Sequence, residues 1–210
     1  MKSFERKFKG LLQDFIFTFF LFVVSSQPLL SQNLSVFETY LNSIESLSSN
    51  FRQTNSDKSI SNGKIWLKKP GKLRFEYQNP ESLLVVANLG FMVVIDKISN
   101  TPPQRYLTNK TPLGLLVEEN ISLSEYGFEV DQNEKLANLM VSNLGEKNGT
   151  NLIIHFNLNP LSIRGWTLEI SPGEIIKVDL FETTFNMPFD EDLIFGIGGE
   201  IQKQMEKISN

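Results

Sequence analysis

The chain has 210 residues, 20 Lys+Arg against 24 Asp+Glu for a net charge of −4, and no cysteine. This length suits one domain plus a targeting segment, and the acidic balance argues against nucleic acid, whose phosphates attract basic surfaces. Without cysteine there can be no disulfide, thiolate metal site, cysteine nucleophile or acylated N-terminal cysteine.

Lys2, Arg6, Lys7 and Lys9 precede a run from Phe15 to Val24 that is apolar except for Thr18, and Ser25 and Ser26 follow. That run falls short of the roughly 20 apolar residues a bilayer span needs, and the order matches a secretory leader. A signal peptide over residues 1–26 is expected, cut after Ser26 or, with a poorer fit, after Ser31. The exported chain would then carry 16 Lys+Arg against 22 Asp+Glu, which disfavours tight non-specific membrane binding.

Ser35-Val-Phe-Glu38 reads as a capping box opening a helix, with Val36, Phe37, Tyr40, Leu41, Ile44, Leu47 and Phe51 at helical spacing. Strands joined by turns follow, with turn signals at Ser61-Asn-Gly63, Pro70-Gly71, Asn79-Pro80, Asn88 to Gly90 and Asn100 to Pro103. The clearest hairpin lies around Pro70-Gly71. Ile65, Trp66 and Leu67 precede it, and beyond it Leu73, Phe75 and Tyr77 alternate with Lys72, Arg74 and Glu76, so one face is apolar and the other charged.

Between Tyr106 and Tyr126 the period changes. Thr111 is placed to cap a short helix with Pro112 at its first position, and Leu113, Leu115, Leu116 and Val117 follow. Gly114 inside that helix costs about 1 kcal/mol relative to alanine. Ser122-Leu-Ser-Glu125 offers a second capping box, and Gly127 a stop. Two weakly stable apolar helices suit a lid better than a core. Further strands are predicted at Phe128–Val130, Leu136–Leu144, Asn151–Leu158, Ile163–Ile170 and Glu174–Phe185. Ile201, Met205 and Ile208 recur at helical spacing in the tail. The fold class is thus mainly β with α, one strongly curved antiparallel sheet closed over by short helices. Residues 33–199 form the domain and 200–210 a C-terminal tail.

No nucleotide, metalloprotease or hydrolase signature is present. His155, the single histidine, alternates with Ile154 and Phe156 in a strand and reads as solvent-facing; Asp190-Glu-Asp192 reads as a solvated turn. No catalytic residue, metal site or cofactor is assigned, and an enzyme is not expected. What remains is apolar surface: Leu73, Phe75, Tyr77, Val85, Met92, Val94, Trp166, Leu168 and Val178 can all share one side of the curved sheet. On the residues alone this side serves equally well as a core or as a cavity.

The hairpin, Asn79-Pro-Glu-Ser-Leu-Leu-Val-Val-Ala87, Phe91-Met-Val-Val-Ile-Asp96, Gln104-Arg-Tyr-Leu107, Lys110-Thr-Pro-Leu-Gly-Leu-Leu116 and Asn159-Pro-Leu-Ser-Ile-Arg-Gly-Trp166, in this order and spacing, resemble the LolA family of periplasmic lipoprotein carriers. The resemblance runs from about Val36 to Phe195. It implies a strongly curved, incompletely closed antiparallel β half-barrel covered by a lid of short helices, working as a periplasmic, monomeric carrier that holds acyl chains of lipoproteins in the apolar cavity, with Leu113 and Leu116 of the lid joining the lining. It also implies loading by an inner-membrane lipoprotein-releasing ABC transporter and delivery to an outer-membrane receptor. Lys69 stands where the family carries an arginine that contacts backbone carbonyls of the lid. The alternative is a periplasmic lipid- or protein-binding sensor or regulatory module of the same fold.

Overall fold

The computed structural model describes residues 29–79, 83–142, 144 and 150–209, with side chains described from residue 34 onward apart from residue 79. The predicted leader and the turn expected near residues 145–149 lie outside them. Helix α1 (Leu29–Asn42) is followed by strands β1 (Ser46–Thr54), β2 (Ile60–Lys68), β3 (Lys72–Asn79), β4 (Leu83–Asn88), β5 (Phe91–Asp96) and β6 (Gln104–Leu107). Two 3-10 turns, Thr108–Lys110 and Pro112–Val117, lead to β7 (Glu129–Gln132), β8 (Leu136–Val141), β9 (Asn151–Leu158), β10 (Leu161–Ser171) and β11 (Glu174–Phe185). The described chain ends with helices α2 (Glu191–Phe195) and α3 (Gly198–Ser209).

The strands form one antiparallel eleven-stranded sheet in the order β6-β5-β4-β3-β2-β1-β11-β10-β9-β8-β7. Each half is a meander, and the halves meet where β1 pairs with β11. The sheet is not closed, since β6 and β7 stand at opposite edges. It is strongly curled. Phe75 on β3 and Trp166 on β10 lie four strands apart, about 19 Å on a flat sheet, yet their ring centroids are 6.0 Å apart. This is the expected open half-barrel.

Cross-strand partners share a face, so the register defines the inner wall. Val94, Val85, Phe75 and Ile65 are successive partners across β5 to β2. Leu139, Ile154, Trp166 and Val178 are successive partners across β8 to β11. Helix α1 packs on this wall through Phe37 and Tyr40, whose rings meet Phe156 at 5.0 and 5.9 Å.

The helix differs from its predicted extent. It ends at Asn42, so Ser35 lies inside it and not at a cap, and Leu47 and Phe51 belong to β1. An interval of four keeps side chains on one face in a helix and in a strand alike, so Leu47 and Phe51 fitted both periods. The turn expected at Ser61-Asn-Gly63 is also displaced, to Asn55–Ser59, where the Asn55 amide donates to the Ser59 carbonyl at 3.0 Å. Gly63 sits within β2 because a Cβ there would come within 2.2 Å of the Glu76 carbonyl oxygen and 2.8 Å of the Phe51 ring.

The outer face carries a second cluster of Leu84, Val86, Val93 and Ile95, covered by Ile197 and Ile201. The tail is therefore a docked helix. Gln204 Nε2 donates toward the carbonyls of Asp96, Ser99 and Thr101, and Lys207 Nζ toward those of Lys97, Ile98 and Ser99, all at 3.0–3.2 Å. Asp190-Glu-Asp192 is more than a solvated turn. Asp190 caps α2 by accepting from the Leu193 amide. Glu191 is held between Lys68 and Lys72, which draw its pKa down to about 2.

Candidate lipid-binding cavity

Between α1 and the inner wall lies an apolar cavity lined by Leu41, Ile44, Leu47, Ile65, Leu67, Leu116, Ile121, Ile163, Trp166 and one polar side chain, Lys69. Its volume of about 20 Å³ holds roughly one water molecule, so in this structure the space is filled almost entirely by the protein's own side chains. Admission of an acyl chain requires the cover to move.

The cover is the segment between β6 and β7. It begins where the Thr108 amide donates to the Gly90 carbonyl at 2.9 Å, and the Val117 carbonyl accepts from the Gly71 amide at 2.7 Å. Asn42 grips Ile121 twice, accepting from its amide at 2.8 Å and donating to its carbonyl at 3.0 Å. Glu38 accepts from the Leu123 amide at 2.8 Å. The lid is thus tied to α1 and to two strand turns, and Glu38 serves this tie, not a capping box.

Its form is 3-10, and Thr111 does not cap it: the Thr111 hydroxyl donates to the Thr108 carbonyl. The predicted second helix is a turn around Ser124 and Gly127. Gly114 does not loosen the lid. A Cβ there would lie 2.1 Å from the Thr108 carbonyl oxygen, so glycine is what lets the two turns close against each other.

Lys69 sits at the cavity wall, and its ammonium donates to the Leu41 carbonyl at 2.9 Å. That carbonyl lies in the last turn of α1, where a cation is favoured; the hydrogen bond thus reaches the helix, while Leu116 of the lid shares the cavity lining. Burial lowers the Lys69 pKa to about 8, opposed by the charge of Glu118 just beyond the lid turn.

Of the side chains expected to bind lipid, Leu116 and Trp166 line this cavity. Leu73, Phe75, Tyr77, Met92, Leu168 and Val178 are buried in the same cluster, with Val85 and Leu113 packed partly buried against it. Val94 is half-buried beside Val85. Phe75 and Tyr77 stand edge-on to Phe51 at 5.4 and 5.1 Å, and the Tyr77 hydroxyl donates to Gln53 at 2.6 Å. These rings make a packed floor. The other lining residues, Leu41, Ile44, Leu47, Ile65, Leu67, Ile121 and Ile163, lie outside the set expected from sequence: their apolar periodicity is visible there, but their convergence depends on the curl of the sheet.

His155 lies on the outer face. Its ring nitrogens meet Asn138 and Thr167, each at 2.8 Å, and burial with nearby Lys177 and Arg164 lowers its pKa. It is bonded into a polar ladder and not simply solvated. Among the described residues no group of side chains is arranged to hold a metal ion, and no helix is long and apolar enough to cross a membrane.

An open antiparallel half-barrel whose apolar inner wall is covered by one helix and a short lid defines a class of carrier and binding proteins. The chain belongs to the LolA family: the family described as outer membrane lipoprotein carrier protein LolA matches residues 42–195. No curated protein sequence matches. The fold is similar to that of an uncharacterized conserved protein from Thermus thermophilus, with TM-score 0.51, 7% identity, and coverage of 78% of this chain and 92% of that one. It is also similar to a LolA superfamily protein from Nitrosomonas europaea, with TM-score 0.43, 8% identity, and coverage of 75% and 96%. The MucA/MucB complex of Pseudomonas aeruginosa gives TM-score 0.46, 12% identity, and coverage of 77% and 59%.

Proposed function

We propose that the protein is a periplasmic carrier that receives the acyl chains of lipoproteins between α1, the lid and the inner wall, and moves them from the inner to the outer membrane. Each buried CH₂ contributes about 0.8 kcal/mol, so an acyl chain of ordinary length loses on the order of 10 kcal/mol on entering water. A second apolar site removes that barrier. The observation that carries this reading is the small cavity in which nine of the ten lining side chains are apolar, beneath a short 3-10 segment that packs on the inner wall through Leu115, Leu116 and Val117. The carrier is a monomer, does no covalent chemistry and uses no cofactor. It is loaded by an inner-membrane lipoprotein-releasing ABC transporter and unloads to an outer-membrane receptor.

Mass spectrometry of the protein purified from periplasm should find an acylated polypeptide bound, and a synthetic acylated peptide should displace a hydrophobic dye from it. Purification without any bound acyl species, together with failure of the acylated peptide to displace the dye, would overturn the carrier reading.

A further inference from the structure

We propose that the tip of the β4–β5 hairpin is a bilayer-docking surface, which seats the lid end of the half-barrel against the headgroup region of a membrane. The role rests on the carrier reading; the docking itself does not.

The turn is Leu89-Gly90, closed by the pairing of Asn88 with Phe91. Both central residues have positive φ, 51° and 82°. Such turns favour Asn-Gly, and a leucine in the left-handed region is uncommon and unfavourable. Burial does not offset this, because Leu89 is 89% exposed. A residue that is both strained and unpacked points to a role outside the fold. Phe91 and Leu107, 50% and 48% exposed, are direct partners across β5 and β6 and share one face at this same end.

The tip also adjoins the lid. The Gly90 carbonyl holds the Thr108 amide, where the covering segment begins, and the neighbouring β2–β3 turn holds Val117 through Gly71. Lys69, in that turn, lines the cavity. Charge favours a lipid surface. Arg105 and Lys110 flank the tip and are exposed, whereas the carboxylates of this region stand away from it: Asp96 at the far end of β5, and Glu118 and Glu119 after the end of the lid turn, where Glu118 faces Lys69. Three apolar side chains fall well short of the roughly 800 Å² per partner of a stable protein interface. A bilayer demands no matching shape, and a small apolar wedge with basic neighbours is what an anionic lipid surface takes.

The test is flotation of the protein, purified as the cell makes it, with vesicles of phosphatidylethanolamine and phosphatidylglycerol. The wild type should float, and Leu89→Asn should partition about tenfold less with an unchanged or raised Tm, because asparagine suits this turn. In Leu89→Trp the added indole should shift its emission to the blue on vesicle addition. Arg105→Gln should weaken binding at low salt only. Absence of wild-type flotation, equal flotation of Leu89→Asn, or no emission shift would each overturn the proposal. So would self-association that Leu89→Asn abolishes in a protein that ignores vesicles, since the tip would then be a contact between copies. Dye displacement by acylated peptide separates the two readings: Leu89→Asn should bind such ligands in solution as the wild type does. A wild type that floats but binds no acyl ligand would retain the docking surface and lose the carrier function.

Discussion

The Lys69 ammonium and the Leu41 carbonyl oxygen, 2.9 Å apart, join the β2–β3 turn to the last turn of α1 at the wall of the cavity. A hydrogen bond to a charged group is worth about 1.5–3 kcal/mol. Lys69→Met should therefore speed uptake of a hydrophobic dye roughly tenfold, whereas Lys69→Arg, with five donors in a fixed fork, should slow it. Equal rates in stopped-flow measurements on the three proteins would show that this bond does not limit opening.

The same lysine predicts a pH dependence. Burial lowers its pKa in the folded state to about 8 from an ordinary value of 10.5, so the unfolded chain binds more protons between those values. Stability then rises with pH through that window, being fully recovered above the ordinary value and lost as pH falls through about 8. Urea unfolding of wild type and Lys69→Met across pH 7 to 11 isolates this contribution. The difference between the two should grow in favour of the wild type as pH rises.

Gly114→Ala should displace the lid, because its Cβ would lie 2.1 Å from the Thr108 carbonyl oxygen and backbone must shift to relieve the clash. A cost of about 1–3 kcal/mol is expected. It should appear as faster exchange of the Gly71 amide, which bonds Val117, and as faster dye uptake. Unchanged exchange would mean that the two turns do not rely on this approach.

Phe75→Ala removes edge-on contacts to both Phe51 and Trp166 from a nearly fully buried site. Loss of about 3–5 kcal/mol is expected in chemical unfolding. A cost below about 1 kcal/mol, well under that range, would show that the aromatic floor is loosely packed.

Glu191 accepts from Lys68 and Lys72, which hold its pKa at about 2. The stabilisation is present above the ordinary carboxylate range and disappears as pH falls through that value. The wild type should therefore exceed Glu191→Gln in stability near neutrality, by a small amount because the pair is exposed to solvent screening, and this gap should close as pH falls below the ordinary carboxylate range. Urea unfolding of both proteins from pH 7 down to pH 2 checks this, and a gap that stays constant or widens in acid would rule out the contribution.

Some of this protein follows from local pattern alone. Alternation at Leu73, Phe75 and Tyr77 against Lys72, Arg74 and Glu76 settles which face of β3 is inward, because a strand's side-chain period is two. The β9 and β11 strands were legible in full for the same reason. The spacing of Leu47 and Phe51 was ambiguous, since four residues satisfy helix and strand together, and only the pairing of β1 with β2 and β11 assigns them to a strand. Gly114 looked like a weakness in a helix and is instead a point of close approach, which depends on the carbonyl of Thr108 and on nothing in its immediate sequence. The cavity lining was beyond pattern altogether. Ile65, Trp166 and Leu41 converge because the sheet curls through several strands and α1 lies across it, and sheet curvature is a sum over many pairings that no single segment encodes. The outer-face site of Glu191 has the same origin: two lysines flanking one turn meet a carboxylate more than a hundred residues later, which only the docking of α2 brings about.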